Sequence, residues 1–469
     1  MKGITFFLVF VAFSSLHSQT ISLRDTTNQY DYIIITVPEY VSAGEPFKQH
    51  KETVRDFRTL IVDTTQIYAE FSSFYSPQSN IRDFISYAGT FWKAPQPKYI
   101  LIIGTVLDVP NFLIDYQANF YESDYYYSEN IFDGDSTTTD FYVGRIPCKN
   151  HTELENYINK VIHYENDQTI SNWMNNNLFL CDNDSVFGFF DAALDIADNY
   201  LPEYIRSYFI VADSGSNYFG DKDSIYNAIN RSGCSICWFY GHCNDSAFIN
   251  STYFNIDDLR GLSNYPMFYL SVFVSTQHSI IETNTNMSSA MMMMFDSGSL
   301  GGLVHVGPSF WGTGNIMRRN YAQKLFNDST GSIGEAFTSD DLDPLGGFFL
   351  YMKKITNLWA DPSLKLKYDT TVGVEEIISV VPRGFTLYQN YPNPFNPSTT
   401  IKFALPVAGN VNISVYNTIG QLVETLVDKE MQSGYHEVNF NAARLSSGIY
   451  FYQLQTGEYV SAKKMVLIK

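Results

Sequence analysis

Apolar and polar positions fall into two regimes along the chain. In the first, apolar runs are continuous: Tyr32-Ile-Ile-Ile-Thr-Val37 and Lys98-Tyr-Ile-Leu-Ile-Ile-Gly104 have no polar alternation. That pattern predicts strands buried on both faces. Arg58–Val62 predicts another strand, and residues 44–57 carry a weaker helical pattern. Residues 65–74 and 79–92 predict helices, with Ser79 as cap of the second. Strand–helix alternation implies a parallel sheet with right-handed crossovers. A long loop is expected over 105–140, then a strand at Phe141–Arg145. In 152–165, Leu154, Tyr157, Ile158, Val161 and Ile162 share one helical face. Further strands are expected at 177–181, 208–212, 235–240, 267–274 and 301–306. Met291–Met294 cover every side of a helix, which predicts a deeply buried one.

The second regime begins at Phe385, after a change of composition over Asp369–Pro382. A Pro/Asn-rich loop, Tyr388–Ser398, leads into short alternating runs. These are Thr400–Phe403, Val411–Tyr416, His436–Phe440, Gly448–Gln455 and Tyr459–Ile468, the signature of a small antiparallel sandwich. The expected organisation is a signal peptide (1–18), a spacer (19–30), a large domain (31–368), a linker (369–384) and a β-domain (385–469). The fold class is α/β, mainly a parallel sheet flanked by helices, in one or two subdomains, plus the all-β sandwich.

Length and charge refine this picture. A chain of 469 residues exceeds one ordinary domain. Its net charge of -19 argues against nucleic acid and anionic membranes as partners. Met1-Lys2 followed by the apolar run Ile4–Phe13 and Ser14, Ser15 and Ser18 reads as a secretory signal peptide. No other run is long enough for a transmembrane segment. Five cysteines at irregular spacing do not suggest a disulfide framework.

Two resemblances extend the reading. Tyr391-Pro-Asn-Pro-Phe-Asn-Pro397, Val415-Tyr-Asn-Thr-Ile-Gly420, Leu445-Ser-Ser-Gly-Ile-Tyr-Phe-Tyr452 and Lys463-Lys-Met-Val-Leu-Ile-Lys469 resemble the sorting domain of type IX secretion cargo. This implies that the type IX machinery is a partner and that the chain reaches the cell surface or the medium. Residues 30–368 resemble the gingipain-like cysteine peptidases of family C25, which have a caspase-like fold. The resemblance rests on Asp31–Thr36, Ile81–Ile85, Tyr99–Gly104, Ser123-Asp-Tyr-Tyr126, Val143-Gly-Arg-Ile-Pro147, Tyr240-Gly-His242, Gly301–Gly307, Gly334-Glu-Ala336 and Asp361-Pro-Ser-Leu364.

The resemblance makes His242 the family histidine, and His242 also follows a strand end, where sites in parallel sheets gather. A cysteine peptidase needs a thiolate as well. Counted from Pro266, the family's cysteine position is Phe273, and no cysteine occurs from Asn244 to the C-terminus. The expectation is a pseudopeptidase that binds peptide or another surface ligand. The alternative is an active endopeptidase using His242 with Cys243 or a serine. Ser271 and Ser275 share the Phe273 face of a regular strand, but no third group to orient the histidine is evident. His278 could approach the same edge. Cys234 and Cys237 are expected on opposite strand faces, which argues against zinc. The loop Asp133-Gly-Asp-Ser-Thr-Thr-Thr-Asp140 is rich in hard oxygen donors. Asp133, Asp135 and Asp140 are therefore calcium-ligand candidates, and the resemblance makes Asp140 a substrate-binding candidate. No cofactor is required by this reading.

Overall fold

The computed structural model describes residues 21–468, apart from 73–75, 133–138, 170, 184–186, 214–215, 217, 245, 249–252, 264–273, 276–285, 308–310, 327–330, 339–346, 371–384, 391, 406–408, 432–433 and 458. The expected signal run Ile4–Phe13 lies outside the described residues. So do Ser271, Phe273, His278, Asp133 and Asp135.

The first sheet has the order β2-β1-β3-β6 and is parallel throughout. Its strands are β1 (Tyr32–Thr36), β2 (Thr59–Asp63), β3 (Tyr99–Ile103) and β6 (Tyr142–Ile146); β1 and β3 are wholly buried. Helices α1 (Val41–Val54), α2 (Thr64–Glu70), α3 (Pro77–Phe91) and α4 (His151–Asn166) connect and cover it. The cap of α3 is Ser76 rather than Ser79: Pro77 occupies the first helical turn, and the Ser76 side chain accepts from the Ser79 amide. The expected loop over 105–140 contains a hairpin, β4 (Phe112–Tyr116) and β5 (Asn119–Ser123). Ile114 and Tyr121 anchor it in a small core.

The second parallel sheet has the order β8-β7-β9: β7 (Asn176–Cys181), β8 (Arg206–Val211) and β9 (Ile236–Tyr240). Helices α5 (Phe189–Asn199) and α6 (Lys222–Tyr226) connect them. Short strands β10 (Cys243–Asn244), β11 (Ala247–Phe248) and β12 (Phe254–Asn255) follow. A third sheet joins β13 (Val274–Ser275) in parallel to β14 (Gly301–His305), and β14 antiparallel to β15 (Thr356–Ala360). Helices α7 (Met287–Met293), α8 (Trp311–Phe326), α9 (Ile333–Thr338) and α10 (Gly347–Lys354) complete this half. Of the methionine run, Met291 and Met292 are buried, each in a different core, while Met293 and Met294 are half-buried. The helix is thus a wedge between two cores rather than an element enclosed on all sides. Lys160 of α4 reaches beneath it, its buried ammonium donating to the carbonyls of Met292, Ser297 and Ser299 at 2.6–3.0 Å.

One core spans residues of all three sheets, from Tyr32 and Leu101 through Phe179 and Trp238 to Leu303 and Trp359. Buried chemistry explains two motifs. Arg145 is fully buried and makes a bidentate pair with Asp124, Nε at 2.7 Å and Nη2 at 2.6 Å. Its remaining nitrogen donates to the carbonyls of Gly104, Thr105 and Val109. Gly144 lies where β6 meets the end of β15. A Cβ there would press into the Ala360 carbonyl and stand 2.9 Å from Pro362 Cδ. Gly144→Ala is therefore expected to destabilise by about 2–3 kcal/mol through overpacking, seen as a lower urea midpoint with an unchanged slope.

The C-terminal region is an antiparallel sandwich. β16 (Thr386–Leu387), β17 (Ser398–Leu405) and β20 (Gly434–Asn441) form one sheet. The other has the order β19-β18-β21-β22, made of β18 (Gly409–Asn417), β19 (Leu422–Met431), β21 (Gly448–Thr456) and β22 (Tyr459–Leu467). β19 was not among the expected strands. Register shifts against β18 interrupt its alternation, and its exposed residues are mostly charged.

Candidate active site

β7 and β9 are parallel neighbours, with Cys181 opposite Tyr240. Their carboxyl ends therefore release the next residues side by side: Asp182 after β7, Gly241-His242 after β9. The Asp182 amide continues the ladder by donating to the Tyr240 carbonyl at 2.8 Å. Gly241 permits the approach, since a Cβ there would lie 2.6 Å from Asp182 Cβ and 3.1 Å from the Phe239 ring.

The result is a carboxylate–imidazole pair. His242 Nδ1 lies 2.8 Å from Asp182 Oδ2, and the His242 amide donates to the same oxygen at 3.2 Å. The Asp182 side chain is 7% exposed and the His242 side chain 57%. A carboxylate at Nδ1 fixes the tautomer that carries its proton there. Nε2 is then the basic nitrogen, the arrangement required of a general base. The edges of Phe187 and Phe189 meet the ring, with centroids at 5.6 and 5.4 Å and planes at 71° and 83°. Under β9, the buried Arg318 guanidinium stacks 4.5 Å from the Tyr240 ring centroid. Burial lowers its pKa from the ordinary arginine value.

Comparison with known proteins identifies the family and the fold. The family model described as peptidase family C25 matches residues 25–367, and that described as secretion system C-terminal sorting domain matches residues 389–469. The chain belongs to peptidase family C25. Two solved structures share its fold. The Porphyromonas gingivalis RgpB pro- and mature-domain complex is 15% identical, with TM-score 0.60, over 93% of this chain and 100% of that one. The Arg-specific cysteine proteinase gingipain R is 14% identical, with TM-score 0.60, over 93% of this chain and 98% of that one. No curated protein sequence matches. The sorting domain marks this C25 chain for type IX export to the cell surface or beyond. Among the described residues, no helix is long and apolar enough to cross a membrane.

The other candidates of this C25 chain are placed as follows. Cys243 opens β10 opposite Phe248 and packs, partly buried, against the core formed by Leu178, Phe239 and Phe254. Cys234 and Cys237 lie in that same core, not on opposite faces, because β9 begins only at Ile236. Burial pushes both thiols up, and the Cys181 thiol with them; the Cys148 thiol rises to about 12. Ser275 ends the described part of β13, opposite His305 in register, and β13 runs within 8 Å of β10. Asp140 precedes β6 in the first sheet, and its Oδ2 accepts from the Asn130 amide at 3.0 Å. Phe273 and the other two calcium candidates lie outside the described residues. No cluster of three or more His, Cys, Asp or Glu suited to a metal occurs among the described residues.

Sequence reasoning missed Asp182. The available signal was a carboxylate one residue beyond an apolar strand, matching the offset of His242 beyond its own strand. What it lacked was the knowledge that these two strands are neighbours.

Proposed function

We propose that this C25 chain is a peptide-binding pseudopeptidase that retains the family histidine, His242, oriented by Asp182, without a thiolate nucleophile. The observation that carries this reading is the distribution of sulfur. No cysteine follows Cys243 in the sequence, and the Cys243 side chain packs into a core. The other four cysteines are buried. An exposed, oriented imidazole beside Phe187 remains suited to hydrogen-bond a peptide carbonyl or amide. Asp140 is proposed to contact that ligand, and Asp133, Asp135 and Asp140 to bind calcium; calorimetric titration with calcium checks the latter.

The test is labelling of the purified chain with a peptidyl thiol-directed warhead. The expected result is no His242-dependent adduct, together with saturable binding of members of a peptide library that His242→Ala weakens. A warhead adduct on Cys243 that disappears in His242→Ala would overturn the reading.

A second reading, an active endopeptidase, gains support from Asp182. The orienting group that a serine nucleophile would require is present, and the backbone of β13 brings Ser275 to the neighbourhood of β10. A fluorophosphonate adduct lost in Ser275→Ala would establish that reading in place of the first.

A further inference from the structure

The sorting domain presents an unexpected surface. In the sheet β19-β18-β21-β22, Val411, Ile413, Val415, Tyr452, Leu454 and Met465 are buried in the sandwich core. Alternation turns their neighbours outward. At one end of that outward face, Leu422, Tyr416, Phe451 and Lys464 form a single cross-strand row. Ile449, opposite Val466, lies next along β21 on the same face, and Ile419 sits in the β18–β19 turn. Ile419 is 76% exposed, Leu422 59%, Ile449 43% and Phe451 39%. Along β18 and β21 the rest of the face is polar, with Ser414, Gln453, Asn412 and Gln455, while Ala462 and Val460 of β22, the latter 51% exposed, face the same way. The apolar side chains thus cluster at one end, with Val460 standing apart at the other.

We propose that this patch is where the type IX export apparatus grips its cargo, through a protein receptor offering an apolar surface and a carboxylate to Lys464. The proposal rests on the reading of residues 389–469 as a sorting domain. Three separate segments carry the likeness to that domain: Val415–Gly420, Leu445–Tyr452 and Lys463–Lys469. Each contributes to this one patch, through Tyr416 and Ile419, through Ile449 and Phe451, and through Lys464 and Val466. Core packing accounts for Val415, Tyr452 and Met465, but not for outward-facing Ile419, Leu422 or Phe451. Exposed apolar clusters rimmed by polar groups mark contact sites. The row itself contains a cation, Lys464, and no carboxylate, and a receptor carboxylate supplies the counter-charge that the row does not.

The test uses the full chain in a bacterium with the type IX apparatus, following its distribution between medium, surface and periplasm. Leu422→Ser combined with Phe451→Ser, and separately Lys464→Glu, are expected to lower exported protein by about tenfold or more, as for loss of interface anchors. The protein should accumulate in the periplasm, with the purified variants keeping the unfolding midpoint of the unchanged chain. Gln453→Ser and Gln455→Ser, on the same face outside the patch, should export normally. Normal export of both patch variants would overturn the proposal. So would sedimentation showing a dimer that the double variant dissociates, or patch-dependent binding to phosphatidylglycerol vesicles. Export that survives deletion of residues 389–469 would instead overturn the sorting reading beneath it.

Discussion

Lys51→Met is expected to cost the fold about 3–5 kcal/mol, the penalty for removing one partner of a buried ion pair. The Lys51 ammonium is fully buried, 2.6 Å from Glu165 Oε2 and 2.6 Å from Asp361 Oδ2. Its removal leaves two buried carboxylates facing each other. Asp361 is further held by the Tyr32 hydroxyl at 2.8 Å and by Ser363. Glu165 also meets His50 Nε2 at 2.7 Å and Arg55 Nη1 at 3.1 Å. The cluster ties α1 and α4 to the Asp361-Pro-Ser-Leu turn after β15, and so joins the first sheet to the third. Urea unfolding at pH 7 checks the cost; a loss below about 1 kcal/mol, the range of an exposed pair, would show the cluster to be energetically idle.

The same cluster sets a pH dependence. Burial alone would raise the Glu165 carboxyl, but the His50 hydrogen bond and the Lys51 charge outweigh it and hold the pKa at about 2, against 4.5 ordinarily. A depressed carboxylate stabilises above its unfolded pKa, and that contribution is lost as pH falls through the folded value. The loss therefore begins as pH falls through the ordinary carboxylate range and is complete only below the folded value. Glu165→Gln should be less stable than the unchanged chain at pH 7 and should show a shallower acid-induced decline.

What could be read from the chain follows from where the information lies. Tyr32–Thr36 and Tyr99–Ile103 were legible because strands buried on both faces must be continuously apolar. The β4–β5 hairpin was not, because its turn puts Gln117 and Ala118 at positive φ, where glycine or asparagine would have announced it. Ser79 was a plausible cap until Pro77 fixed the helix start one turn earlier. Lys51 and Glu165, 114 residues apart, carry no local mark of their pairing. The place of His242 just past a strand end could be read from its own neighbourhood. The contact of Asp182 with it could not, since that depends on the sheet order β8-β7-β9, and strand order is a property of the whole fold. The sorting domain was legible as motifs, while the way those motifs meet on one face required the strand register.

Phe273→Cys is expected to give this chain peptidase activity absent from the unchanged protein. At that position the C25 resemblance assigns the nucleophile, and the phenyl ring there has no lone pair to attack a carbonyl and no proton for His242 to remove. The pair that would serve it is oriented: Nδ1 is engaged by a carboxylate at 2.8 Å, the imidazole is exposed, and Gly241 allows the close approach that holds them together. Cysteine needs only a modest fall in its pKa to supply thiolate at neutral pH, and an imidazolium neighbour provides it. Hydrolysis of fluorogenic peptides by Phe273→Cys should vanish when His242→Ala is added. Adding Asp182→Asn should lower it by roughly 10³–10⁴-fold, as when the wrong imidazole tautomer is stabilised. An adduct with a peptidyl warhead should appear at residue 273 with the same dependence. A folded, inert Phe273→Cys whose new thiol reacts independently of His242 would separate residue 273 from the imidazole. The search for a nucleophile would then turn to the hydroxyl of Ser275, and the pseudopeptidase reading would lose its ground.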